Sequence, residues 1–105
     1  MDVVEIDSEK QKQIVKLFPM LSFVVKWIEK DTKLSDSDLM RLKNIYPEQY
    51  EIVKNSTFEE IIEIDKQYCD HPIYGDLIKI VLSEQGIEWL QDFFSRLREF
   101  SAMND

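Results

Sequence analysis

The densest chemistry in this chain lies in one stretch, residues 59–76, which reads EEIIEIDKQYCDHPIYGD. It carries six carboxylates (Glu59, Glu60, Glu63, Asp65, Asp70 and Asp76) and one lysine, Lys66. It also holds the single histidine, His71, the single cysteine, Cys69, and two of the four tyrosines, Tyr68 and Tyr74. Paired carboxylates can act as general acid and base when one is desolvated and the other hydrated. Glu59, Glu60 and Glu63, however, fall in the first turns of an expected helix, where they suit the helix dipole and the cap. A Cys–His couple needs thiolate and imidazole face to face, which two residues of separation across a turn seldom give. Carboxylate-bridged metal sites in helical bundles need Glu-x-x-His on two helices, and one histidine cannot supply both. His71 reads instead as a turn residue whose ring bonds a backbone group. There is no phosphate-cradling glycine loop. No enzymatic activity, metal or cofactor is expected.

What remains is recognition. Tyrosines inside a field of carboxylates suit a basic protein partner: the charges steer, and the rings supply burial. The expected partner surface is Glu59, Glu60, Glu63, Asp65, Tyr68, Asp70, Tyr74 and Asp76. The overall charge agrees. The chain has 105 residues and a net charge of −8. Residues 1–55 hold ten acids and nine bases, a net −1, whereas residues 56–105 hold eleven acids and four bases, a net −7. Direct binding of nucleic acid or an anionic membrane needs a basic field, so neither is expected.

The elements that must position these residues are helices. Only two Gly and three Pro punctuate the sequence, which favours helices joined by short turns. Ser8 with Gln11 forms a capping-box pattern, predicting a helix from near Glu9. Ile14, Leu17, Phe18, Leu21, Val24, Val25 and Ile28 keep helical spacing through Pro19, which predicts either a kinked helix or two abutting ones, the continuous kinked helix being the preferred reading. Ser35 with Asp38 predicts a second start, Pro47 either the end of that helix or a short successor, and Ser56 or Thr57 with Glu59 or Glu60 a further one. Within that helix Glu59, Glu63 and Lys66 share one side, with Phe58, Ile61 and Ile62 towards the core. Asp70 is a capping candidate in the turn before LIKIVL. Ser83 caps the last helix, whose stripe is Ile87, Leu90, Phe93, Phe94, Leu97 and Phe100. The β-branched stretches MDVVEI and LSFVVKWI are the two places where a strand competes. The prediction is an all-α, single-domain bundle of four to six helices spanning residues 1–105.

One cysteine allows no internal disulfide and suits a reducing cytoplasm. The start MDVVEIDSEK is acidic and lacks a long apolar run, so no targeting segment is expected. No apolar run approaches the ~20 residues of a membrane span.

The stretch DHPIYGDLI resembles the turn of the colicin-type nuclease immunity proteins, where His-Pro is followed after three residues by Asp-Leu-Ile. The matching positions are His71, Pro72, Asp76, Leu77 and Ile78, and SEQGI (Ser83, Gly86, Ile87) is similar to the opening of that family's last helix. The resemblance covers about residues 58–98. It implies a small acidic helical protein that occludes a basic toxin nuclease. Where the family carries two partner-contacting tyrosines this chain has Lys79 and Ile80, so the resemblance implies the class of function and not that docking mode. The expected function is therefore an acidic inhibitor or immunity protein that covers a basic toxin, nuclease or nucleic-acid-handling enzyme. The alternative is a small helical adaptor or regulatory subunit that takes a partner helix in an apolar groove, because MLSFVVKWI is apolar on more than one side.

Overall fold

Local hydrogen bonding sets most of the helix starts. Ser35 Oγ accepts from the Asp38 N–H at 3.2 Å while Asp38 Oδ2 accepts from the Ser35 N–H at 3.2 Å. Thr57 and Glu60 repeat this box, at 3.1 and 2.8 Å. Ser83 Oγ accepts from the Gly86 N–H at 3.0 Å. At the first helix the cap lies one residue earlier than predicted: Asp7 Oδ1 accepts from the Lys10 N–H at 2.7 Å, and Ser8 is already helical. A carboxylate is the stronger acceptor and also faces the positive helix end.

The computed structural model describes residues 6–104. Among these the elements are α1 (Ser8–Val15), α2 (Phe18–Glu29), α3 (Asp36–Ile45), α4 (Pro47–Asn55), α5 (Phe58–Gln67), α6 (Gly75–Val81) and α7 (Glu84–Asn104), with no strand. The count exceeds the predicted four to six because Pro19 and Pro47 each open a new helix and residues 75–81 form one of their own. LSFVVKWI is helical, inside α2. MDVVEI, apart from Ile6, lies outside the described residues.

Of the two arrangements expected at Pro19, two abutting helices is the observed one, and the preferred single kinked helix is not. Pro19 sits in the first turn of α2, where its missing N–H costs nothing. The preceding Lys16 and Leu17 N–H groups turn back to the Gln13 and Ile14 carbonyls at 3.1 and 2.9 Å. Both linking residues keep right-handed helical dihedrals, so the apolar phase runs on although the bond ladder is broken.

The far end of α2 is closed by a Schellman motif. Asp31 takes the left-handed position, with φ 51°. Its N–H reaches the Ile28 carbonyl at 3.1 Å and the Thr32 N–H reaches that of Trp27 at 3.0 Å.

α2 packs most closely on α6 and also meets α7. α7 further contacts α3, α4 and α6, while α1 rests on α5. Ile14, Leu17, Phe18, Leu21, Val24 and Ile28 enter the core from α1, the linker and α2. Trp89, Leu90, Phe93, Phe94 and Leu97 meet them from α7. Polar ties lock α7 in place. Trp89 Nε1 donates to the Thr32 carbonyl at 2.9 Å. Arg98 donates to the carbonyls of Val53, at 3.1 Å, and Ser56, covering the C-terminal end of α4. The Cα radius of gyration is 13.2 Å, matching the ~13 Å of a compact chain of this length.

The corner between α6 and α7 has no room for a side chain at Gly86. A methyl group there would press into the Ile80 and Val81 carbonyl oxygens, 2.7 Å from the latter. Both obstacles are backbone, so relief requires moving α7 off α6. Gly86→Ala is therefore expected to cost roughly 2–4 kcal/mol in urea denaturation, against a helix-propensity gain of about 1 kcal/mol for the same swap at an open site. A Gly86→Ala variant as stable as the parent would contradict this corner.

Candidate functional site

The acidic stretch folds as the end of α5, a compact turn, and the start of α6. The structure distributes its eight expected site residues unevenly. Glu59 is exposed and Glu63 half-buried on successive turns of α5. Glu60 is held by the capping box and lies 3.9 Å from Lys10 Nζ. Asp70 and Asp76 are exposed, either side of the turn.

Asp65 corrects the sequence reading. Expected on the surface, it is 0% exposed, and neither carboxylate oxygen has a hydrogen-bond partner among the described residues. The cause is positional: Asp65 follows Ile61 by four residues and Ile64 by one, on the buried side of α5. Burial pushes its carboxyl up to about 8, because the charged form loses its hydration with nothing to replace it.

The tyrosines are half-buried rather than presented. Their rings meet the fully buried Phe18 edge-on, Tyr68 at 5.3 Å and 78°, Tyr74 at 5.1 Å and 62°. His71 lies between them, with ring centroids 5.9 Å from Tyr68 and 5.2 Å from Tyr74. Its Nδ1 accepts from the backbone N–H groups of Ile73 and Tyr74 at 3.1 and 3.2 Å. Both bonds use the Nδ1 lone pair, so the ring proton sits on Nε2. His71, rather than Asp70, serves the backbone at the start of α6: its Nδ1 takes the N–H of Tyr74, the N-cap residue, whose own side chain makes no cap bond. The His71 N–H bonds the Tyr68 carbonyl at 3.0 Å, and the Gly75 N–H bonds that of His71 at 2.7 Å. The turn is thus tied both through its backbone and through an aromatic floor.

What it presents is Ile73. That side chain is 77% exposed, between the exposed Asp70 and Asp76. Sequence reasoning missed it because an isoleucine in a polar turn carries no periodic signal. Among the described residues no group of three or more His, Cys, Asp or Glu is placed to hold a metal ion. No helix there is long and apolar enough to cross a membrane.

A second feature lies on the outer side of α2. The Phe23 and Trp27 rings pack at 5.2 Å, tilted by 49°, and Phe23 meets Tyr46 at 6.1 Å. They line an open groove of about 650 Å³ with Pro19, Lys26 and Lys30. The expectation that MLSFVVKWI is apolar on more than one side points to this place.

Comparison with protein-family models, with characterised proteins and with solved structures returns no match for this chain.

Asp65 makes stability depend on pH. An unfolded aspartate titrates near 3.9, whereas the folded group titrates near 8. Between these values the folded state binds the extra proton, so its contribution to stability falls as pH rises from about 4 to about 8, then levels off. Asp65→Asn removes that term. The variant is expected to unfold at higher urea than the parent at pH 8, by on the order of 2–5 kcal/mol, with the gap closing towards pH 4. Parallel curves from pH 4 to 9 would show that Asp65 is not buried as a bare acid.

Proposed function

We propose that this chain is a non-catalytic inhibitor or immunity-type protein that covers a basic protein partner, with the 68–76 turn as its point of contact. The observation that carries this reading is Ile73, an exposed apolar knob flanked by Asp70 and Asp76 on a backbone locked by His71. A pre-ordered apolar contact loses little entropy on binding, and nearby carboxylates steer a basic surface towards it. Glu59 and Glu63 extend the negative field along α5. Tyr68 and Tyr74 contribute by holding the turn's shape, with their rings against Phe18. Asp65 takes no part in contact. The similarity to nuclease immunity proteins rests on these same residues, His71, Pro72 and Asp76, and favours a toxin nuclease or another nucleic-acid-handling enzyme as the partner. Such enzymes present basic surfaces to phosphate, and an acidic cover competes for them. The lack of a basic field on this chain argues against its binding nucleic acid itself. We place its action in the cytoplasm, on the strength of its single free cysteine.

A second reading, a helical adaptor or regulatory subunit, is favoured by the aromatic groove on α2.

Affinity capture from the native host supplies the partner for the test. Asp70→Asn with Asp76→Asn should slow association and flatten its salt dependence, leaving folding within about 0.5 kcal/mol of the parent. Ile73→Ala should speed dissociation, by about 1–2 kcal/mol. A captured partner indifferent to all three changes would remove the turn from the interface.

A further inference from the structure

Two helical stripes run along α2. Leu21, Val24 and Ile28 form the buried one. Pro19, Phe23, Lys26, Trp27 and Lys30 form the outer one, at steps of three and four residues, and Tyr46 walls it from the junction of α3 and α4. From Pro19 to Lys30 the stripe runs about 16 Å, or three helical turns. The floor is aromatic, and Phe23 is still 38% exposed in the folded chain.

The charge of this groove is opposite to that of the molecule. The chain carries 21 acids and 13 bases, yet the groove lining contains two lysines and no carboxylate. Several other basic groups find acids, among them Lys16 with Glu48 at 2.9 Å, Lys33 with Asp92 at 3.4 Å and Arg96 with Asp36 at 3.8 Å. Lys26 and Lys30 have no ion pair among the described residues. Two cations at one edge of an aromatic floor match an apolar ligand that carries carboxylates along one flank.

We propose that this groove docks an acidic amphipathic helix of a partner protein, with its apolar stripe on Phe23, Trp27 and Tyr46 and its carboxylates on Lys26 and Lys30. Three turns of groove accommodate anchors at i, i+3 or i+4, and i+7, the spacing by which helices engage such surfaces. Nucleic acid is a poorer fit, since two lysines in a chain of net −8 do not make the basic field that a phosphate backbone requires. A second copy of this chain is also poorer. Its acid-flanked apolar knob, Ile73, is a single side chain on a tight turn, far short of the roughly 1,000 Å² that a specific interface buries.

The test uses two synthetic peptides of about 15 residues with the same Leu/Phe stripe, one flanked by Glu and one by Lys. Trp27 fluorescence reports occupancy, since Trp89 is almost fully buried, and far-UV dichroism reports helix gained by a peptide too short to be stable alone. The protein's net charge alone favours the Lys peptide. The groove favours the Glu peptide, expected to bind at least about tenfold tighter at about 50 mM salt, the gap narrowing as salt rises. Phe23→Ala should weaken the Glu peptide about tenfold or more. Lys26→Glu with Lys30→Glu should reverse the preference, and Ile73→Ala should leave it unchanged. Stronger binding of the Lys peptide, or binding of neither at millimolar concentration, would overturn the proposal. So would self-association in light scattering that both Phe23→Ala and Ile73→Ala abolish, because the groove would then belong to a second copy.

Discussion

The Phe18 ring joins two parts of the chain that are fifty residues apart. It is wholly buried, and Tyr68 and Tyr74 close on it edge-first. Edge-to-face rings at this spacing add directional attraction to the large area that each ring removes from water. The contact gives the 68–74 turn a floor, and His71 then needs only to satisfy the backbone above it. The same residue opens α2, so the ring's position also sets where that helix starts. Its neighbour Pro19 already belongs to the aromatic groove. The two candidate surfaces, acidic knob and cationic groove, are thus referred to adjacent residues on one rigid element.

Much of the helical outline is legible in the sequence, because caps are bonds between residues three apart. Ser35 with Asp38, Thr57 with Glu60, and Ser83 before Gly86 all function as their types and spacing suggest. The break at Pro19 is concealed because Lys16 and Leu17 remain in helical dihedrals. Periodicity records angular phase and is blind to a missing hydrogen bond. Asp65 is the opposite case. Its spacing from Ile61 points inward, and the reading as surface followed its charge instead. The half-burial of Tyr68 and Tyr74 depends on Phe18, a long-range contact that no local pattern encodes. Within the acidic segment it is therefore Ile73 that protrudes, while the two tyrosine rings are turned partly inward.

Part of the negative charge is structural. Asp7, Asp38 and Glu60 are engaged at helix N-termini, where a carboxylate is favourable whatever the protein binds. Net charge therefore overstates the acidity available to a partner. Of the carboxylates in the acidic stretch, Glu59, Asp70 and Asp76 remain exposed and Glu63 half-buried.

The reach of α7 has a consequence for how the protein is made. This 21-residue helix contacts α2, α3, α4 and α6, and it supplies much of the core's aromatic content. Helices form within about a microsecond, whereas ribosomes add about 5–20 residues per second. For on the order of seconds the nascent chain must hold an α2 whose buried stripe lacks the part of its cover that α7 supplies. The earlier helices can form during that interval, but the core cannot close. Translation speed through the segment encoding α7, and access of chaperones to the α2 stripe while it is being made, bear directly on the yield of folded protein.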